Sequence, residues 1–392
     1  MTKAPQARTE FGYLGSITNN ASRINNGEER IARFALQAAA RELAPAGRVR
    51  ICLRAIVPGR ESVEIWHSSA RSRAYYKNLM TCGSVWVCPV CAAKISERRR
   101  VELARVLGVR DLLVVPAAGG GERMVTVPRY HLAMATFTLS HKKGETLAAV
   151  LARLQSAYRR MWSGRWPQAW QKLHRVVGTL RALEVTYGEN GWHPHIHLLL
   201  IRDSANTPGS VRDMDIELTL RWLDVVTSVG GEASAQRGMV LSAADDKAGE
   251  YLGKMGHQVD AAIRRWGVVD ELTKYPVKKG RAESRTLWDL LADYIGGDVR
   301  AGELWIEAQA ALRGVMFLRP SNGLWKALQA PESVGDDTEM AQELQSPSDA
   351  ILSSLTIDQW RTVVRKNSRG ELLEVASEGD PEKVKKFLSG LE

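Results

Sequence analysis

Apolar positions recur along this chain in two rhythms. A spacing of three and four residues predicts helices over 28–43, 94–105, 147–161, 211–229, 286–295 and 301–312. Alternation of β-forming residues predicts strands at HLAMATFTLS (131–140), VGTLRALEVTY (177–187), HPHIHLLLI (193–201) and 238–242. The link GENGW between the second and third strands carries the Gly and Asn of a hairpin loop. A further helix is expected to open at Asp245 and to carry Tyr251, with Asp as a normal capping residue. Strands alternating with helices and joined by one hairpin imply an α+β class: an antiparallel sheet of about five strands with helices packed on it.

The 392 residues divide by composition. Residues 1–48 read as an N-terminal extension ending in a helix. Residues 49–116 hold all four cysteines and a basic helix, and a Gly-rich break follows at 117–123. Residues 130–330 form the main domain. Residues 331–350 hold six acids and no bases among scattered Pro, Gly and Ser, which reads as an acidic disordered linker. Residues 351–392 read as a small helical tail.

The formal charge is +10, unevenly placed. Residues 331–392 hold 13 acids and 7 bases, a net of −6, so the first 330 carry +16. A basic body with an acidic tail points to a polyanionic partner. No apolar run approaches the length of a bilayer span, and the first residues lack the apolar core of a secretion signal. The expected location is the cytoplasm, with no membrane partner.

The densest chemistry lies in the hairpin. On a strand alternate side chains share a face, so His193, His195 and His197 point one way, while Ile196 and Leu198 point into a core. Three of the eight histidines within five positions converge well on a metal. With a hairpin symmetry point near Asn190–Gly191, Glu184 pairs with His197 and supplies an oxygen ligand. Two His and one carboxylate leave open positions, which suits a hard, phosphate-polarising ion such as Mg²⁺ or Mn²⁺.

GWHPHIHLLL, with its His-hydrophobe-His core, resembles the HUH endonucleases and, in its longer form, the Rep type 1 initiators of plasmid rolling-circle replication. MATFTLSH resembles that family's first motif strand. Glu250-Tyr251-Leu-Gly-Lys254 resembles its Tyr-x-x-Lys motif, and CGSVWVCPVCAAKISERR its cysteine segment. The resemblance spans about residues 50–260, in the family's order. It implies a ferredoxin-like or RRM-like core and nicking of plasmid origin DNA, single-stranded at the nick. It also implies Tyr251 as nucleophile, a 5′-phosphotyrosine link and a free 3′-OH primer, with a host helicase and polymerase as further partners. Lys254, three residues on, would steady the scissile phosphate. A common family pattern places an acid one turn before the tyrosine. Position 247 is Lys here, so Glu250, or Asp246, is expected to activate the water that ends the reaction. A relaxase or single-strand transposase would use the same chemistry. A non-enzymatic zinc DNA-binding regulator would leave the histidine hairpin unexplained.

Cys88-Pro-Val-Cys91 has zinc-knuckle spacing, with Cys82 six residues earlier and Cys52 thirty before that. Four thiolates make a closed structural Zn²⁺ site, with His67 as a substitute for Cys52. The basic runs 94–100 and 274–281 are placed to track phosphates. Trp162, Trp166 and Trp170, spaced by four, suit helix packing better than base stacking.

Overall fold

The computed structural model describes residues 26–116, 122–203, 211–243, 284–330 and 336–391. The chain enters on helix α1 (Asn26–Leu43) and then forms the hairpin of β1 (Val63–Ser68) and β2 (Arg73–Lys77). Helix α2 (Pro89–Leu107) begins at the Cys88-x-x-Cys91 pair. A two-stranded ribbon follows, β3 (Arg110–Pro116) against β4 (Glu122–Pro128).

The central sheet is built from β5 (Tyr130–Phe137), then helices α3 (Leu147–Met161) and α4 (Trp166–Leu173), then β6 (Val176–Gly188) and β7 (Gly191–Asp203), helix α5 (Val211–Ser228) and β8 (Met239–Ala243). The two-residue β9 (Ser284–Arg285) pairs with β6. Beyond it come helices Leu287–Ile295 and Val299–Ala311, then β10 (Leu318–Pro320). The strand order is β10-β6-β7-β5-β8, and every pairing is antiparallel. The expected sheet of about five strands is therefore present, with β9 as an addition.

Period-two alternation gives this sheet two different faces. Phe137, Leu183, Ile196 and Leu198 face the main core, which α3 and α5 close with Leu154 and Trp222. Met134, Leu180, Leu199 and Ile201 face the opposite way, onto Leu103 and Leu107 of α2 and Leu324 and Leu328. This second cluster covers one end of the face, and the histidines of β7 occupy the other. Trp170 is buried and stacks on Trp166 at 5.7 Å, so the tryptophan series serves packing.

The C-terminal part carries regular structure within the stretch expected as a linker, and the expected helical tail opens on a strand. Residues 336–350 carry the short helix Asp337–Met340 and the start of β11 (Asp349–Leu355). β11 pairs with β1, giving the order β11-β1-β2. Helix Arg369–Ala376 packs on α1, and Trp360, Val363 and Leu372 join the main core. Those apolar side chains have no core of their own to enter, so the segment folds back onto the cysteine unit.

Candidate metal centres

The β6–β7 hairpin closes through a two-residue turn, Glu189-Asn190, between the paired Gly188 and Gly191. Gly191 has φ +90°, a conformation that costs other residues strain. This turn sets Glu184 opposite His195, and Ala182 opposite His197. The expected pairing of Glu184 with His197 is thus corrected by two positions, because the turn is centred one residue earlier. A shift of two preserves the face. Glu184 still reaches both rings: its Oε2 lies 3.0 Å from His195 Nε2 and 2.9 Å from His197 Nε2.

In an octahedral shell with ligands at 2.0–2.1 Å, neighbouring donors stand about 3 Å apart. The Glu184 oxygen stands at that separation from each nitrogen, all three donors lie within 4.8 Å of one another, and the three residues can hold a metal ion. Glu184 and His197 are buried and His195 is nearly so. Burial opposes ionisation of Glu184, but hydrogen bonding to His195 and His197 outweighs it and holds the carboxyl far below the usual range. His197 Nδ1 is 3.1 Å from Thr136 Oγ1, on the neighbouring strand β5. A proton on Nδ1, donated to Thr136, leaves Nε2 bare for a cation.

Two further imidazoles extend the array. His193 Nδ1 lies 2.9 Å from His141 Nε2, and burial together with His195 and His141 pushes its pKa down to about 4. His193 is therefore neutral at pH 7. The sequence pattern places His193 on the same face as His195 and His197 and gives Thr136 and His141 no role. Their signal was already present in MATFTLSH, the segment that ends in His141.

The cysteines meet around the start of α2. Cys52 Sγ is 3.7 Å from Cys88 Sγ and 3.4 Å from Cys91 Sγ, and Cys82 Sγ is 3.6 Å from Cys91 Sγ. A tetrahedron with Zn–S of 2.3 Å has edges of about 3.8 Å, close to these separations. All four are buried, and none is in a disulfide. Contact with Cys52, Cys88 and Cys91, reinforced by burial, pushes the Cys82 thiol up. Four thiols so packed cannot all ionise without a cation among them, so the donor set fits one. Cys52 completes the cluster, and His67 is not part of it.

Gln37 of α1 binds this centre to its surroundings. Its Nε2 donates to Cys88 Sγ at 3.2 Å, and its Oε1 accepts from Arg369 at 3.0 Å and from Arg41 at 2.9 Å. Arg369 is fully buried and also donates to the Leu53 carbonyl. Burial and the nearby Arg41 push its pKa down to about 9, so it keeps its charge at pH 7.

No family model matches the chain, and no solved structure matches it. Two curated proteins do. Over 150 residues the chain is 33% identical to "Protein rep" of Streptomyces lividans, an alignment covering 31% of this chain and 30% of that protein. Part of this chain is related to a Rep protein. Over 162 residues it is 29% identical to "Neomycin resistance protein" of Streptomyces cyanogenus, covering 35% of this chain and 34% of that one. The chain spans about a third of the length of these relatives. The relation agrees with the broader Rep/HUH superfamily and does not single out one type of initiator.

Tyr251, Lys254, Glu250 and Asp246 lie outside the described residues, as does the basic run 274–281. Among the described residues, no helix is long and apolar enough to cross a membrane.

Proposed function

We propose that this chain is a metal-dependent, site-specific DNA endonuclease and strand transferase that initiates rolling-circle replication of a plasmid. The observation that carries the reading is the convergence of Glu184, His195 and His197 on one point of the central sheet. The order β5-α3-β6-β7-α5-β8, with neighbours β6-β7-β5-β8, supports the ferredoxin-like core that the HUH resemblance implies. The partial relation to a Rep-named protein supports the same reading.

A bound Mg²⁺ or Mn²⁺ would polarise the scissile phosphodiester. Tyr251 attacks phosphorus through its phenolic oxygen, and the bond to the 3′ oxygen breaks. The phenolic proton leaves to water, and the displaced 3′ oxygen takes a proton back from water and departs as the 3′-OH that primes a polymerase. The 5′ phosphate stays on the tyrosine, which conserves the bond energy. Lys254 steadies the charge on the phosphoryl oxygens, and Glu250 activates the water that later releases the strand. The four cysteines hold one structural Zn²⁺.

The test is incubation with labelled single-stranded origin DNA and Mn²⁺, followed by denaturing electrophoresis. A covalent adduct is expected, and mapping should place it on Tyr251. Tyr251→Phe should abolish the adduct and leave origin binding nearly intact. An adduct on another tyrosine, or cleavage with no adduct, would overturn the assignment.

A further inference from the structure

A basic surface of the cysteine unit lies beneath the chain's own acid. Residues 337–349 cross β1, β2 and α2, and their acceptors meet one cation after another. Arg99 reaches Asp337 at 3.3 Å, and Arg98 donates to the Glu339 carbonyl at 2.7 Å. Glu343 takes Lys94 at 2.9 Å and Arg73 at 3.0 Å, with Arg71 at 3.7 Å. Lys77 binds Gln345, and Arg71 closes on Asp349 at 2.9 Å. Six cations from a hairpin and a helix thus converge on one stretch without a base of its own.

Charge and a small apolar anchor together hold residues 337–348 in place. Met340 and Ala341 are buried, while Leu344 is exposed. The Arg99–Asp337 pair is partly exposed and weakens with salt, while Glu343 lies largely buried among its cations. A nucleic-acid strand offers the same cations a denser row of anions and gains from counterion release. The far end of α2 packs on Leu199 and Ile201, the sheet face that also carries His195 and His197. A strand tracking α2 from this surface would run towards the candidate nuclease site.

We propose that Arg71, Arg73, Lys77, Lys94, Arg98 and Arg99 form a binding surface for the DNA backbone, and that residues 337–348 occupy it as an autoinhibitory strap which DNA displaces. The strap stays tethered through β11, so it competes from within the molecule at high effective concentration. DNA as occupant rests on the nuclease reading. Displacement itself is a matter of binding and needs no cleavage.

The experiment measures equilibrium binding of a labelled single-stranded oligonucleotide across a salt series, without divalent metal. Asp337→Asn with Glu343→Gln should tighten binding roughly tenfold or more near 0.1 M salt and steepen the logarithmic salt slope by about two. In a background with Arg71, Arg73, Lys94 and Arg99, the cations that face the two acids, all changed to alanine, the same pair should give no gain. Equal affinity of the wild type and the strap variant sinks the proposal, as does a gain that survives in the alanine background. Hydrogen exchange on the wild-type protein guards against a folding defect. Added DNA should speed exchange over 337–348, and unchanged or slowed exchange counts against displacement. An affinity gain without any Mn²⁺-dependent adduct would overturn the nuclease reading alone. Adduct formation without an affinity gain would overturn the strap alone.

Discussion

The carboxylate oxygen shared by His195 and His197 gives each residue of the site a distinct expected phenotype. His197→Ala should abolish cleavage at any Mn²⁺ concentration. Glu184→Ala should raise the metal requirement, because two nitrogens remain as donors. Thr136→Val removes only the acceptor that orients His197. Outer partners of this kind change metal affinity about 10–100-fold. A Mn²⁺ titration of adduct yield should shift by that order, with the saturating yield restored. Thr136→Ser should behave as wild type. The histidine face was legible in the sequence because strand alternation is a local property. The partner of Glu184 was displaced by two positions because loop length depends on how Gly188 and Gly191 pair. Thr136 and His141 escaped notice because β5 reaches β7 only through non-local pairing.

At the scale of elements, the cysteine centre joins α1, α2, the loop holding Cys52 and, through Arg369, a helix near the C-terminus. Purified protein should contain one zinc per chain. Cys88→Ser should lower the thermal midpoint as well as the zinc content, since metal binding at such sites is coupled to folding. Gln37→Ala should destabilise by about 1–3 kcal/mol in urea, because Cys88 and Arg369 both lose a buried partner. Elemental analysis showing well-folded, zinc-free protein would reject the first expectation. Cys88 and Cys91 declared themselves by their spacing. Cys52 was expected as the fourth thiolate with His67 as a substitute, and spacing left that substitute open because it depends on which loop the fold brings to the start of α2. Helices α3 and α5 were evident from periodicity. β1, β2 and the β3–β4 ribbon are short pieces whose pairing, not their pattern, defines them.

On the scale of the molecule, the acidic C-terminal part meets the basic body through Glu343. Burial works against its ionisation, but Lys94, Arg73 and Arg71 hold its pKa down to about 2, against 4.5 for a free carboxyl. A depressed folded-state value means the contact contributes fully above about pH 4.5. The contribution then fades as pH falls towards about 2. Acid unfolding should therefore begin at lower pH in Glu343→Gln than in wild type, relative to each protein's own neutral stability. Circular dichroism across pH 2–5 measures it. Residues 331–350 read as a linker because composition registers their charge and says nothing of the cations waiting on a distant helix.

The pairing of β11 with β1 also bears on synthesis. The first two strands of that sheet leave the ribosome about 270 residues before the third, a wait of roughly 15–55 s at 5–20 residues per second. During that interval the outer edge of β1 is bare, an invitation to chaperones and to other nascent chains. A message cut short before codon 349 would yield a product with that edge never covered, a target for proteolysis.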